Sequence, residues 1–127
     1  HTGAHFIFGL PFETPELWMK DVQTINQLPI NSVKFHQLQI IKGTKIEAEF
    51  ATNPERFHLF SIDNYIPFIV DFVEYLSPTL VIERFAGEVP PRYLAVNTWG
   101  TTRYDVILNK IEKEFEKRDS FQGKKFL

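Results

Sequence analysis

Short apolar runs alternate along this chain with longer stretches of helical periodicity, and that alternation restricts it to few architectures. Residues 4–8 (Ala4, His5, Phe6, Ile7 and Phe8) are aromatic-rich and closed by Gly9 and Pro11, which predicts a strand. Thr14 before Pro15 is a helix start: a threonine side chain accepts from a free amide, and proline in the first turn loses no bond it would have made. Leu17, Trp18, Val22, Ile25 and Leu28 follow at helical spacing until Pro29 blocks continuation. Residues 32–41 form the second strand, with Val33 and Phe35 on one side and Lys34, His36, Leu38 and Ile40 on the other. Both sides are partly apolar, as in a buried parallel strand.

A short helix is expected over residues 45–50, then a polar loop through Asn53, Pro54 and Glu55. The next helix starts near Asp63 or Asn64 and buries Ile66, Ile69, Val70, Val73 and Leu76. Pro67 is tolerable only in that helix's first turn, so its regular part is expected to begin late. Residues 80–85 read as the third strand. Gly87, Pro90 and Pro91 make a loop, with a short element at residues 93–96. The last helix carries Tyr104, Ile107, Leu108, Ile111 and Phe115 on one stripe, with Glu114 four residues ahead of Arg118 on the wet face. The order is βαβαβ plus a C-terminal helix, which predicts an α/β fold with mainly parallel strands and helices on a common side.

With 127 residues, 43% of them hydrophobic and 24% charged, the chain can build one real core but not two full domains. Its net charge of −2 gives no general pull toward nucleic acid or acidic membranes. Charge is nonetheless uneven, since residues 110–127 hold six basic and four acidic groups, the mark of a solvated amphipathic tail. No apolar stretch approaches the roughly 18 residues of a membrane span, and no charged-then-apolar leader opens the chain. A soluble, cytoplasmic domain without a membrane partner is therefore expected. The chain starts at His1, beside an apolar run, so it is expected to be a piece of a longer protein.

Polar groups intrude on the same side of all three strands: His5 with Ile7 and Gly9, then Lys34 and His36, then Glu83 or Arg84. Singly, His5 and His36 also read as satisfied core or edge histidines, and Lys34 as a side chain reaching to solvent. Together they read as the floor of a ligand cavity. Gly9 stands at the end of a parallel strand, where open α/β sheets bind ligands, but the dinucleotide fingerprint and the P-loop lysine are both absent. Glu13 reads as a first-turn acid or as a ligand contact. The absence of cysteine excludes disulfides, a thiol nucleophile and thiolate-held zinc or iron–sulfur from this chain. The four histidines never fall at the spacing of a helical zinc pair, so no metal ligands are expected. No Ser-x-x-Lys or Gly-x-Ser-x-Gly nucleophile signature occurs, and no dense basic stripe supports stand-alone nucleic-acid binding.

Two strings go beyond composition: His5-Phe-Ile-Phe-Gly-Leu-Pro-Phe-Glu-Thr14 and Lys34-Phe-His-Gln-Leu-Gln-Ile-Ile-Lys-Gly-Thr44. They resemble the later strands of radical S-adenosylmethionine (radical SAM) enzymes, particularly an uncharacterised bacterial group of Fe–S oxidoreductases and, more distantly, the catalytic subunit of Elongator. The run Arg118-Asp-Ser-Phe-Gln-Gly-Lys124 resembles that bacterial group's C-terminus. The resemblance implies the C-terminal part of a partial βα barrel over residues 1–86 and a cap over residues 87–127. The parent would hold S-adenosylmethionine and a [4Fe–4S] cluster on three cysteines that this chain lacks. The fragment itself is expected to be inactive and to hold neither group tightly.

By the same resemblance, Ile7 and Gly9 of the first string, and Leu38, Gln39 and Ile40 of the second, border the adenine. Lys34 and His36 face the barrel lumen, and His5 and Arg84 join them as candidate substrate contacts. His5 replaces the first glycine of the family's Gly-x-Ile-x-Gly-x-x-Glu pattern, and Glu13 falls one residue late. The implied partners are the missing N-terminal part of the same protein and, through an exposed edge of the first strand, a second copy of the chain; an RNA or protein substrate is compatible. The rival reading is a non-catalytic α/β module whose tail, from Arg103 to Leu127, docks a protein or RNA partner through Phe121, Lys124, Lys125 and Phe126.

Overall fold

The computed structural model describes residues His1–Leu127. Three strands, β1 (Gly3–Phe8), β2 (Ser32–Gln37) and β3 (Val81–Arg84), form one sheet in the order β1-β2-β3, and both pairings are parallel. Four helices accompany them: α1 (Pro15–Gln27), α2 (Lys45–Thr52), α3 (Ile62–Glu74) and α4 (Tyr104–Arg118). The expected α/β order therefore holds, with all three strands parallel. No helix is long and apolar enough to cross a membrane.

One side of the sheet is covered. Phe8, Val33 and Phe35 point into a core shared with Trp18, Val22 and Ile25 of α1, most of α3, and Ile107 and Ile111 of α4. Phe8 sits at its centre, with its ring 5.0 to 6.1 Å from those of Trp18, Phe35, Phe68 and Phe72. Aromatic edge-to-face contact adds to the burial of so much apolar area. The start of α1 follows the local reading: the Thr14 hydroxyl accepts from the Leu17 amide and Pro15 opens the helix. Its outer positions do not, because Leu17 and Leu28 of the expected stripe remain exposed while Trp18, Val22 and Ile25 alone are buried.

Two boundaries differ from the local expectation. α3 is capped by Ser61 and starts at Ile62, so Pro67 lies inside it rather than in its first turn. Proline there forfeits one backbone bond, and the helix tolerates the loss because eight of its residues are buried on several sides. β2 stops at Gln37 instead of running to residue 41. Beyond that point the chain leaves the parallel ladder and pairs antiparallel with residues 93–95: Ile41 bridges Leu94, the Lys42 amide donates to the Tyr93 carbonyl at 2.8 Å, and the Ala95 amide donates to the Ile40 carbonyl at 2.8 Å. Ile40 is consequently buried rather than sharing an open face with Lys34 and His36.

The C-terminal segment keeps most of its charged side chains exposed, as an amphipathic tail should, but it is also tied to α3. Arg118 pairs with Glu114 as the spacing implied, at 2.7 Å, but not on a wet face: it also reaches Asp71 at 2.6 Å and Glu74 at 3.4 Å on α3. Past α4 the chain turns at Asp119, in the left-handed region, and lies across the end of α3. The amides of Gly123 and Lys125 donate to the carbonyls of Val73 and Glu74 at 3.1 and 2.8 Å, satisfying acceptors that a helix end leaves free. Gly123 has φ +85°, and a Cβ on it would stand 2.9 Å from Pro78 Cδ, so both conformation and space require glycine there.

Candidate functional site: the open face of the sheet

The uncovered side of the sheet carries His5, Ile7, Lys34, His36 and Arg84. Register places them: His5 lies opposite Lys34, Lys34 opposite Arg84, and Ile7 opposite His36. An irregularity between Val33 and Lys34 skips Glu83, bringing Arg84 rather than Glu83 into line with Lys34. A row of His5, Lys34 and Arg84 thus crosses all three strands. The imidazoles of His5 and His36 stack with 5.4 Å between ring centres and 8° between planes.

Charge on this face is almost unopposed. Lys34 has no ion-pair partner within 4.0 Å, and Arg84 has only Glu88, at 3.9 Å. Arg84 is held at the rim: its Nε donates to the Ala86 carbonyl at 2.7 Å, and its guanidinium lies 4.2 Å from the centre of the Tyr104 ring. Burial, then the neighbouring His5, Arg84 and Lys34, hold the His36 imidazole below its ordinary pKa of 6.5. Its Nε2 is buried and has no hydrogen-bond partner.

At the C-terminal ends of the strands, Gly9 has φ +109°, and a Cβ would stand 3.1 Å from Leu38 Cβ and 3.3 Å from the His58 carbonyl oxygen. The Leu38 amide donates to the Phe8 carbonyl at 2.7 Å, tying the two strand ends together. Ile7 is 42% exposed, an apolar surface on an otherwise polar face. Leu38, Gln39 and Ile40 instead line a cleft of about 40 Å³ walled by Gly87, Leu94 and Trp99. The structure therefore brings His5, Ile7, Lys34, His36 and Arg84 together, and places Leu38, Gln39 and Ile40 at the adjoining strand end. No three side chains of His, Asp or Glu converge in a way that could hold a metal ion.

Several residues that organise this region carry no local motif. Gln37 clasps Gly87 in both directions, its side-chain amide donating to the Gly87 carbonyl at 3.0 Å and its oxygen accepting from the Gly87 amide at 2.8 Å. The Tyr65 hydroxyl donates to the Phe85 carbonyl at 2.5 Å, and the Phe85 amide donates to the Tyr104 hydroxyl at 3.0 Å. These contacts join the end of β3 to α3 and α4. Glu13 has a structural partner, accepting from the Trp18 indole at 3.1 Å. Of the tail residues singled out from the sequence, Phe121 and Phe126 are exposed, while Lys125 pairs with Glu74 at 3.5 Å and Lys124 donates to the Asp119 carbonyl at 2.9 Å.

The family model of the Radical_SAM C-terminal domain matches residues 30–117. The chain is 30% identical over 123 residues to the uncharacterised protein YtqA of Bacillus subtilis, covering 97% of this chain and 37% of that protein. It is 32% identical over 124 residues to the uncharacterised protein MJ0486 of Methanocaldococcus jannaschii, covering 97% of this chain and 38% of that one. The chain thus spans less than two-fifths of the length of these relatives. Its fold matches the archaeal Methanocaldococcus infernus Elp3 with N-terminus deletion, with a TM-score of 0.74 and 18% identity, over 94% of this chain and 28% of that one.

Proposed function

The chain belongs to the Radical_SAM C-terminal domain family, and from that premise we propose that it forms the last strands and the cap of a radical SAM enzyme's partial barrel. The observation that carries this reading is the one-sided sheet, with helices packed on one face and His5, Ile7, Lys34, His36 and Arg84 on the other. In a barrel, that bare face is the lumen wall. β1 pairs only with β2, and its free edge is where the preceding strand of the same protein would continue the sheet.

The chain's residues fit S-adenosylmethionine and do not fit the cluster. Ile7 offers an exposed apolar surface, and Gly9 lets the strand end close tightly against Leu38. Ile7 and Gly9 would border the adenine, with Leu38 and Gln39 at its margin and Ile40 supporting them from the buried side. The chain has no cysteine with which to ligate iron, so the cluster belongs to the parent's N-terminal part. The cofactor, when bound, supplies the radical; these residues bind, orient and exclude water. The cap contributes through Tyr104, which together with Tyr65 of α3 fixes Phe85 and with it the end of β3.

Anaerobic iron–sulfur reconstitution of the full-length protein tests this, with 5′-deoxyadenosine as the product measured under reducing conditions. Its formation is expected from the full-length protein and not from this chain alone. Its absence from the full-length protein, or a stoichiometric [4Fe–4S] absorbance from the 127-residue chain, would overturn the reading.

A further inference from the structure

Within the row of His5, Lys34 and Arg84, the facing pair Lys34 and Arg84 is energetically unfavourable as it stands. Like-charged side chains directly opposite one another weaken a sheet, and here Lys34 and Arg84 face each other across β2 and β3 with Glu88 as the sole acid within 4.0 Å of either. Where cations meet across the end of α3 the chain opposes them directly: Arg118 meets Asp71, Glu74 and Glu114, and Lys125 meets Glu74. Two cations set opposite each other in one ladder with a single distant acid are a local conflict, and such conflicts collect at functional sites. A second observation points the same way. His36 Nε2, next along β2 from Lys34 on the same face, is buried without a partner, although buried polar atoms are nearly always satisfied. The Gln37–Gly87 clasp holds the neighbouring backbone in place.

Building on the radical SAM reading above, we propose that this face is an oxyanion site, in which Lys34 and His36 hold a carboxylate or phosphate group of the substrate. Lys34 supplies a full charge with rotatable donors, and His36 Nε2 supplies a directed donor once protonated. His5 stacks on His36 and fixes its plane. Arg84, already engaged with Tyr104 and Ala86, contributes field from the rim rather than a direct bond. Glu88 is the opposing charge on this side and is itself drawn to Arg103. An anion arriving between Lys34 and His36 removes the repulsion across the row and gives His36 Nε2 a partner.

The test follows the imidazole of His36 in ¹⁵N-histidine-labelled protein titrated with sodium phosphate or sodium acetate, at ionic strength held constant with sodium chloride. The protein has four histidines, and His36→Gln assigns the signal. A saturable rise in the His36 pKa by about one unit is expected with at least one anion, and the anion that saturates at lower concentration identifies the substrate's group as phosphate or carboxylate. Lys34→Gln is expected to weaken that anion's binding at least tenfold, and Lys34→Arg to retain it. A shift that neither anion saturates, or one unchanged in Lys34→Gln, would overturn the proposal. So would displacement of the anion by S-adenosylmethionine with the same saturable shift, which would give the site to the cofactor's own carboxylate. Because 5′-deoxyadenosine is not the readout, failure here leaves the radical SAM reading to its own test.

Discussion

The two faces of one three-stranded sheet are finished differently. On the helical side, Phe8, Val33 and Phe35 are at most 1% exposed and locked among aromatic rings. On the other side, the intervening residues of the same strands, His5, Ile7, Lys34 and His36, are polar or exposed, and one polar atom is buried without a partner. The covered face holds the fold together, and the bare face carries the proposed site. Substitutions one residue apart should therefore report on different properties.

The largest effect is expected at Phe8. Phe8→Ala should destabilise the chain by about 4 kcal/mol in urea unfolding, since it opens a cavity at the centre of the core. Its neighbour on the opposite face, Ile7→Ala, should change stability by less than about 1 kcal/mol; equal losses would mean that the faces are not distinct. Next comes the ion network that ties the last helix to α3. Arg118→Ala should cost about 3 kcal/mol, because it takes a guanidinium away from the almost fully buried Glu74. Burial pushes the Glu74 carboxyl up, but the Ser120 hydroxyl, Lys125 and Arg118 together outweigh it and hold the carboxyl below 4.5. Its contribution to stability is thus present above the unfolded value and lost as pH falls through the lower folded one. In Arg118→Ala that acid-side loss should shrink.

Much of the fold was legible because its signals are local. Thr14 and Pro15 are adjacent, and the alternation of Val33, Lys34, Phe35 and His36 places residues on faces without reference to anything distant. What was not legible depends on partners far away in sequence. β2 ends at Gln37, whose side chain meets Gly87 fifty residues on, because residues 93–95 claim the backbone groups that follow. Pro67 survives inside α3 because the core surrounds that helix. The Arg118–Lys124 run, a bare resemblance in the sequence, turns out to include Ser120, Gln122 and Gly123 as the closure over α3 and its outgoing turn. The candidate site divides the same way: alternation brought His5, Lys34 and His36 to one face, whereas the choice of Arg84 over Glu83 required the register irregularity in β3.

On the open face, pH provides a further comparison. The His36 imidazole resists protonation in the folded chain, through burial and then through His5, Arg84 and Lys34. The unfolded chain therefore binds a proton first as pH falls through 6.5, and stability should decline from there down to the folded value. His36→Gln should remove that limb while leaving the Glu74 limb in place, as thermal melts at stepped pH would show. The smallest expected effect is also the most diagnostic: Lys34→Gln should stabilise the fold by about 0.3 kcal/mol by relieving the like-charge row. A loss of stability instead would show that Lys34 has a structural role on this face.

Strand and helix order, parallel pairing and the inward and outward sides of each strand were set by short-range chemistry: caps, prolines and the two-residue repeat of a pleated chain. Tertiary structure decided where β2 lets go of the sheet, which carboxylates Arg118 meets, and that Arg84 completes the charged row. Those outcomes depend on hydrogen bonds and ion pairs between residues some fifty apart in sequence, whose partners no local pattern identifies.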